Sequence, residues 1–152
     1  MKPRPLRLDD QLCFALYAAT NAVTRAYRPV LGDLGLTYPQ YLVMLVLWQD
    51  GASPVGQIAR RLNLAPSAIT PLVDRLVTAD LVAREIDPDD RRAIQVSLTQ
   101  NGRDLEARTS LAQQAVECQT GLAPADLAEL RGALHALVER MQADESAATE
   151  RV

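Results

Sequence analysis

Thiols and phenols are the side chains in this 152-residue sequence with the clearest capacity for chemistry. The two cysteines, Cys13 and Cys118, lie far apart in the chain and lack the spacing of metal ligands. A thiolate can attack a peroxide to form a sulfenic acid, which a second thiol can convert into a disulfide. A free cysteine is more commonly a small hydrophobic residue of the core. Taken alone, Cys13 is therefore better interpreted as inert than as reactive.

The segment around Cys13 has helical periodicity. Apolar residues recur at steps of four and three, which predicts a first helix from about Leu8 to Leu34. The apolar positions are Leu12, Leu16, Ala19, Val23, Ala26 and Val30. A polar stripe on the same segment contains Cys13, Tyr17, Thr20, Thr24 and Tyr27. A tyrosine on a helix usually lies in the core or at its rim.

Capping and proline signals predict three further helices up to residue 79. Thr37 and Gln40 form a capping box, and the helix that follows runs to about Gln49 and is apolar almost all round. Ser53 and Pro54 are expected to be the N-cap and first residue of a third helix, through about Leu62. A short turn precedes a fourth helix, from Pro66 to about Ala79.

After the fourth helix the apolar residues change from a helical period to alternation with polar residues, which predicts a β-hairpin. Its strands are expected at Leu81–Ile86 and Ile94–Leu98, with a polar turn between them. Thr99 is expected to cap a fifth helix reaching about Gln119. Pro124 opens a sixth, which is expected to fray beyond Asp144.

Two helices joined by a tight turn and followed by a hairpin describe a winged helix-turn-helix. The predicted fold is mainly α with a small β-hairpin. The single protomer of residues 1–152 contains a DNA-binding core at residues 37–98. The long helices at residues 1–36 and 99–146 have apolar stripes with no evident partner in so small a core. We therefore expect them to pair with a second copy, giving a homodimer.

The second helix of a helix-turn-helix enters the major groove of DNA. Here it would present Ser67, Ala68, Thr70 and Pro71 early and Arg75 later. Hydroxyls can contact phosphates or bases, and Ala and Pro can touch a thymine methyl. Pro71 is unusual, because a proline inside a helix costs roughly 3 kcal/mol. Either the helix boundary lies elsewhere or a local bend has a use.

The predicted hairpin turn carries two adjacent arginines, Arg91 and Arg92. An arginine at a hairpin tip can enter the narrow minor groove of double-stranded DNA. Asp90 could pair with Arg92 and hold it extended. A turn of this kind alone is more simply a solvated loop, but the preceding helix-turn-helix favours DNA contact.

Composition limits the other functions. The net charge is −3, and residues 104–152 carry four Arg but nine acidic side chains, so the acidity could be kept away from DNA. The N-terminus lacks a signal-like segment, and the apolar run Tyr41–Trp48 is too short to cross a bilayer. We therefore expect a cytoplasmic protein. We also expect no metal, no cofactor and no enzymatic activity; the lone His135 is interpreted as a helix-surface or interface residue.

Several motifs together resemble the organic-hydroperoxide sensors of the MarR family. Similarity extends over nearly the whole chain. The matching segments are Gln11-Leu12-Cys13-Phe14-Ala15-Leu16-Tyr17, Thr24-Arg25-Ala26-Tyr27-Arg28-Pro29, Leu34-Gly35-Leu36-Thr37-Tyr38-Pro39-Gln40-Tyr41, Thr70-Pro71-Leu72, Asp90-Arg91-Arg92 and Leu98-Thr99-Gln100-Asn101-Gly102. The wing and helix-turn-helix motifs are typical of MarR proteins in general. The N-terminal cysteine with two downstream tyrosines is more specific.

The resemblance implies roles for these residues. Cys13 would be the peroxide-reactive thiol, and Tyr27 and Tyr38 would donate hydrogen bonds to its sulfur. Cys118 is similar to the second cysteine of the two-cysteine subgroup, which forms an intersubunit disulfide with the oxidised first cysteine. Oxidation would release a repressor from its operator. The recognition-helix residues and Arg92 would contact DNA.

Helix geometry bears on this assignment. Cys13 and Tyr27 are 14 residues apart, or about 21 Å along one helix. If both belong to one site, the tyrosine must come from the other subunit of a dimer. Two alternatives stay open: a MarR-type repressor released by a small phenolic or aromatic acid, and a thiol peroxidase that uses Cys13.

Overall fold

The computed structural model describes residues 5–149, with side chains described through residue 146. The chain forms two compact units, Met1–Val116 and Glu117–Val152. Within the described residues it is helical except for one two-stranded antiparallel hairpin. This confirms the predicted fold class.

Helix α1 spans Leu12–Asp33 without a break. A short 3-10 turn at Leu8–Asp10 precedes it, and the extended backbone of Gln11 separates the two, so the predicted start at Leu8 was wrong. Two residues after the end of the helix, Gly35 has a positive φ of 72°. The Leu36 amide then turns back and donates to the Leu31 carbonyl. Such left-handed glycine turns satisfy the last carbonyls of a helix.

Helix α2 spans Tyr38–Asp50 and begins with the predicted capping box. The Gln40 amide donates to Thr37 Oγ1 over 3.4 Å, and the Thr37 amide donates to Gln40 Oε1 over 3.0 Å. The helix is central in the core, as its all-round apolar sequence predicted. Its buried residues are Gln40, Tyr41, Val43, Met44, Val46 and Leu47.

Helix α3 spans Val55–Leu62, and its N-cap is Pro54. The expected capping by Ser53 was wrong, because Ser53 belongs to the sheet side of the core. Ser53 is fully buried and exchanges two backbone hydrogen bonds with Val96, of 3.0 and 2.8 Å. Its hydroxyl donates to the Gly51 carbonyl, so it is not available to the helix.

Helix α4 spans Pro66–Thr78, close to the predicted range. It follows a tight turn in which Asn63 adopts the left-handed conformation with φ 56°. Strands β1 (Val82–Ile86) and β2 (Ile94–Leu98) then pair in antiparallel register, with Val82 opposite Leu98 and Ile86 opposite Ile94. The helix-turn-helix and hairpin predicted from the sequence are both present.

Helix α5 spans Gln100–Gln119 and helix α6 spans Pro124–Thr149. The Gly102 amide donates to Thr99 Oγ1 over 3.1 Å, which confirms Thr99 as the cap of α5. Helix α6 continues past Asp144 to Thr149, so the fraying predicted beyond Asp144 was wrong for residues 145–149, and the rest of that tail lies outside the described residues. Large apolar side chains on α6 are exposed, as are several on α1. They include Leu12, Phe14, Val23, Leu130, Val138 and Met141.

Among the described residues, no helix is by itself long and apolar enough to span a bilayer. Helices α1 and α2 meet the combined requirement of length and apolar composition only as a pair, across a bend of 77°.

Candidate DNA interface and thiol site

The recognition helix α4 is held by one buried face and presents another to solvent. Ile69, Val73 and Leu76 are buried in the core and fix the helix. The residues predicted to contact DNA are all exposed: Ser67, Ala68, Thr70, Pro71 and Arg75. The burial pattern therefore leaves the predicted DNA-contacting side chains on the accessible surface of the helix.

Pro71 lies inside α4, as the predicted boundary required. A proline cannot donate a backbone hydrogen bond, so one turn of the helix has a carbonyl without its usual partner. One residue earlier, the Thr70 hydroxyl donates to the Pro66 carbonyl over 3.3 Å. This side-chain bond adds a local link in the turn that Pro71 weakens.

The hairpin tip is organised by an aspartate, but not in the way that the sequence suggested. Asp90 Oδ1 accepts from the backbone amide of Arg92 over 3.0 Å, and the structure gives no ion pair between their side chains. The expected pairing of Asp90 with Arg92 is therefore made at the backbone amide of Arg92 and not at its guanidinium. Short polar side chains readily satisfy a backbone amide two residues ahead. The side chains of Arg91 and Arg92 are exposed.

An ion pair that sequence reasoning missed joins the wing to the recognition helix. Arg84 on β1 donates to Asp74 Oδ1 on α4 over 2.5 Å. The two residues are ten positions apart with a turn between them, and no local motif signals the contact. The pair connects the two elements that were predicted to enter the two DNA grooves.

The cysteines occupy different units of the structure. Cys13 lies in the first turn of α1 and is exposed, with the exposed phenol of Tyr17 one turn later. Cys118 lies in the last turn of α5 and is also exposed. Neither is the buried hydrophobic residue that a free cysteine most often is.

Three phenols cluster where α1 meets α2. The ring centroids of Tyr27 and Tyr38 are 5.5 Å apart, those of Tyr27 and Tyr41 5.4 Å, and those of Tyr38 and Tyr41 5.9 Å. The sequence pointed to Tyr27 and Tyr38, and the structure brings them together. Tyr41 was missed, although its position one helical turn after Tyr38 was a usable signal.

Tyr38 borders a cavity near the start of α2. Burial raises the pKa of the Tyr38 phenol above its ordinary value of 10.0, because a low-polarity environment disfavours the phenolate. At neutral pH the hydroxyl therefore keeps its proton and can donate a hydrogen bond. The cavity has a volume of about 540 Å³. It is lined by Thr24, Arg28, Gly32, Leu36, Thr37, Tyr38 and Pro39.

Arg28 was not singled out from the sequence. It places a guanidinium beside the same cavity as Tyr38. Positive charge near a thiol favours the thiolate. Within the described residues, no group of three or more His, Cys, Asp or Glu side chains could hold a metal ion.

A helix-turn-helix with an exposed second helix, followed by a hairpin with arginines at its tip, defines a winged helix-turn-helix DNA-binding protein. Comparison with known proteins makes the family specific. A sequence model of the MarR family matches residues 36–94. The transcriptional regulator TtmR of Methylorubrum extorquens (strain PA1) is 42% identical over 139 residues, covering 87% of this chain and 71% of that protein.

Two further relatives are matched over nearly their full length. The organic hydroperoxide resistance transcriptional regulator of Bacillus subtilis (strain 168) is 32% identical, with 90% of this chain and 92% of that protein covered. AbfR of Staphylococcus epidermidis, solved in a reduced form on DNA, superposes with a TM-score of 0.70 at 29% identity, covering 89% of this chain and 94% of AbfR. Structures of AbfR in overoxidised form on DNA and in disulfide form also match.

The chain belongs to the MarR family. It is a DNA-binding transcriptional regulator and not an enzyme, so the thiol peroxidase alternative falls.

Proposed function

We propose that the chain is a homodimeric repressor that organic hydroperoxides release from its operator by oxidising Cys13. One observation carries the proposal. Helix α1 is continuous from Leu12 to Asp33, with an exposed thiol in its first turn and a phenol cluster near its other end. A thiol and phenols at opposite ends of one rigid helix suit a site completed by a second copy.

The separation of Cys13 from Tyr27 along α1 favours a site formed between two chains. Fourteen residues of α-helix separate Cys13 from Tyr27, or about 21 Å of axial rise. Antiparallel pairing of two α1 helices would bring the Cys13 end of one near the Tyr27 end of the other. A two-fold dimer would then contain two equivalent sites. The exposed apolar side chains of Leu12 and Val23 lie on one face of α1, and such pairing would bury that face.

The phenols and Arg28 suit the thiolate form of Cys13. The protonated Tyr38 phenol of the partner subunit would donate to the sulfur, and hydrogen bonds to the charged form lower the pKa of a thiol. The cavity beside Tyr38, about 540 Å³, has room for an organic peroxide. Its lining combines apolar side chains with one guanidinium.

The reaction balances without any other reagent. The Cys13 thiolate attacks one oxygen of the hydroperoxide, the O–O bond breaks, and the alkoxide leaves and takes a proton to become an alcohol. The sulfur is oxidised by two electrons and becomes a sulfenic acid. The Cys118 thiolate of the partner subunit then attacks that sulfur. An S–S bond forms, the S–O bond breaks, and the oxygen leaves as hydroxide, which takes a proton from solvent to become water.

Disulfide formation would act on DNA binding through the helices that carry the cysteines. The Cα atoms of a disulfide lie within about 7 Å. If they lie farther apart in the reduced dimer, closure moves α1 and α5, and α5 continues directly from β2 of the wing. The two recognition helices must keep a separation of about 34 Å to occupy successive major grooves. The redox forms in which AbfR was crystallised support chemistry of this kind in a relative.

The DNA contacts are assigned to exposed residues of α4 and the wing. Ser67, Ala68, Thr70, Pro71 and Arg75 would face the major groove, and Arg91 and Arg92 would reach the minor groove. Asp90 would support this contact by shaping the backbone of the turn. The pair Arg84–Asp74 would keep the wing and the recognition helix in a fixed relation.

A peroxide-titrated gel shift tests the proposal. The reduced protein is used to select its binding site from a random-sequence DNA library, and the complex is titrated with cumene hydroperoxide. We expect release at about one equivalent per subunit, and no release of Cys13→Ser at the same dose. Non-reducing electrophoresis should show a linked dimer from the wild type and none from Cys118→Ser.

Two results would overturn parts of the proposal. Unchanged DNA binding after peroxide, or release that persists in Cys13→Ser, would remove the sensing role of Cys13. It would favour the alternative of a small aromatic acid as the signal. A wild-type protein that releases DNA without forming a linked dimer would remove the resolving role of Cys118 alone.

A further inference from the structure

A second cavity lies between α2 and α5 and shares no lining residue with the cavity that borders Tyr38. It has a volume of about 220 Å³, and all of its lining residues belong to the unit Met1–Val116. They are Tyr41, Leu45, Trp48, Gln49, Glu106, Thr109, Ser110 and Gln113. Sites for drug-sized ligands begin at about 300 Å³, so this one suits a single ring with a short substituent.

The walls of the cavity combine aromatic surface with one charge. Tyr41 and Trp48 supply the rings, and Leu45 lies between them on the same helix. Among the described residues that line it, Glu106 is the only charged side chain. Within the described part of the chain, Glu106 forms no ion pair. An anionic ligand would meet a carboxylate here with no compensating cation.

Aromatic faces and a carboxylate are the groups that bind ammonium ions. A cation within about 6 Å of a ring centroid is attracted by the negative face of the ring. The carboxylate of Glu106 can accept from the ammonium, and charge-assisted hydrogen bonds are the stronger ones. The Ser110 hydroxyl is exposed on α5 one helical turn after Glu106 and can also accept.

We propose that this cavity is a binding site for a small aromatic amine in its cationic form, with Glu106 as its counter-ion and Trp48 and Tyr41 as its walls. The site is separate from Cys13 and does not depend on the peroxide chemistry. The negative charge of Glu106 is opposite to the positive charge that a binding site for an aromatic acid requires.

Occupancy of the cavity can be followed at Trp48. Trp48 is the only tryptophan in the sequence, so the intrinsic fluorescence of the protein reports on this site. Its indole Nε1 donates to the Gly102 carbonyl over 2.9 Å, which fixes the ring against the first turn of α5. A ligand that contacts the indole therefore changes the emission of a ring held in one place.

The test is a fluorescence titration of the reduced full-length protein with three probes of similar size. Benzylammonium is cationic, benzyl alcohol is neutral and benzoate is anionic. We expect saturable binding of benzylammonium, at least tenfold weaker binding of benzyl alcohol, and no binding of benzoate. Equal affinities for the three probes, preferred binding of benzoate, or no saturable change with benzylammonium would overturn the proposal.

Variants assign the charge preference to Glu106. Glu106→Gln keeps the shape of the side chain and is expected to reduce benzylammonium affinity to that of benzyl alcohol. The matched control is Glu85→Gln on β1, an exposed glutamate that does not line the cavity, which should bind as the wild type does. Unchanged affinity in Glu106→Gln, with an intact helical circular dichroism spectrum, would contradict the assigned counter-ion.

A second variant fills the space instead of changing the charge. Ser110→Phe places a ring at an exposed position of the cavity wall and should weaken binding of benzylammonium at least tenfold. Cys13→Ser should bind it with wild-type affinity. Loss of binding in Cys13→Ser would contradict a site independent of the thiol, whereas failure of the peroxide gel shift would leave this result unaffected.

Discussion

Gly102 packs against the backbone of Leu81 so closely that a β-carbon on Gly102 would lie 2.0 Å from the Leu81 carbonyl oxygen. The same Leu81 oxygen accepts from the Thr99 amide over 3.1 Å. Gly102 in turn donates to Thr99 Oγ1 and accepts from the Trp48 indole. The start of α5 is therefore joined around one glycine to the turn between α4 and β1, which contains Leu81, and to α2, which contains Trp48.

Gly102→Ala should destabilise the protein, because the obstacle is backbone that cannot rotate away. Overpacking of this kind typically costs about 1–3 kcal/mol. Urea unfolding followed by circular dichroism would measure it. Gly132→Ala on α6 is the matched control, since nothing lies within 4 Å of the added carbon. Alanine there should stabilise by about 0.5–1 kcal/mol, the usual gain over glycine in a helix. A Gly102→Ala protein as stable as the wild type would contradict the close approach.

Tyr38 should make the protein less stable in alkali. Burial raises the pKa of its phenol in the folded state above the ordinary 10.0. Between pH 10 and the raised pKa of the folded state, the folded state binds more protons than the unfolded state. The free energy of unfolding therefore falls as pH rises in this range. The contribution is fully present below pH 10 and is lost as pH passes through the folded-state pKa.

The measurement is the free energy of unfolding from pH 8 to pH 11 for the wild type and Tyr38→Phe. Phenylalanine cannot ionise, so the variant should lose less stability than the wild type above pH 10, relative to each protein's own value at pH 8. Parallel curves for the two proteins would show that the Tyr38 phenol titrates alike in both states.

Sequence pattern and structure agree where the deciding interactions are local. The capping box of Thr37 and Gln40 and the cap at Thr99 involve residues three apart, and a reader of the sequence can place them. Ser53 has the same composition signal as an N-cap, but its partner is Val96, over forty residues later. Hydrogen bonds between residues so far apart in the sequence have no local signature, and they place Ser53 beside the sheet instead of at the start of α3.

In the candidate site as well, the features that depend on local sequence could be predicted and those that depend on packing could not. Exposed residues of α4 follow from helical periodicity, and so does the separation of Cys13 from Tyr27. The contact between Arg84 and Asp74, the place of Tyr41 in the phenol cluster and Arg28 beside the cavity depend on how elements pack. The sequence suggests a contact between Asp90 and Arg92, but it does not decide between the backbone amide and the guanidinium of Arg92 as the partner.

Arg92→Ala should weaken operator binding in a salt-dependent way. Its exposed side chain at the hairpin tip is assigned to the minor groove, where it would meet phosphates on both sides. The logarithm of the binding constant falls as the logarithm of the salt concentration rises, and loss of one phosphate contact makes this slope shallower by about 1. Fluorescence anisotropy between 50 and 200 mM salt would measure it. Arg131→Ala on α6 removes the same charge outside the proposed interface and should leave the slope unchanged. Equal slopes for wild type and Arg92→Ala would remove Arg92 from the contact.

Mixed dimers provide the sharpest test of a site shared between subunits. Tyr27→Phe with Tyr38→Phe should slow the reaction of Cys13 with cumene hydroperoxide about 10- to 100-fold, because hydrogen bonds to a charged group contribute about 1.5–3 kcal/mol.

A heterodimer is then prepared from this double variant and Cys13→Ser, with different affinity tags on the two chains. If the phenols act across the interface, the single remaining Cys13 faces intact tyrosines from the Cys13→Ser chain. It should react at the wild-type rate, with one sulfur oxidised per dimer. If the phenols acted within a chain, that Cys13 would face its own two phenylalanines and react as slowly as in the double-variant homodimer. Mass spectrometry of sulfenic acid trapped with dimedone, taken over a time course, distinguishes the two rates.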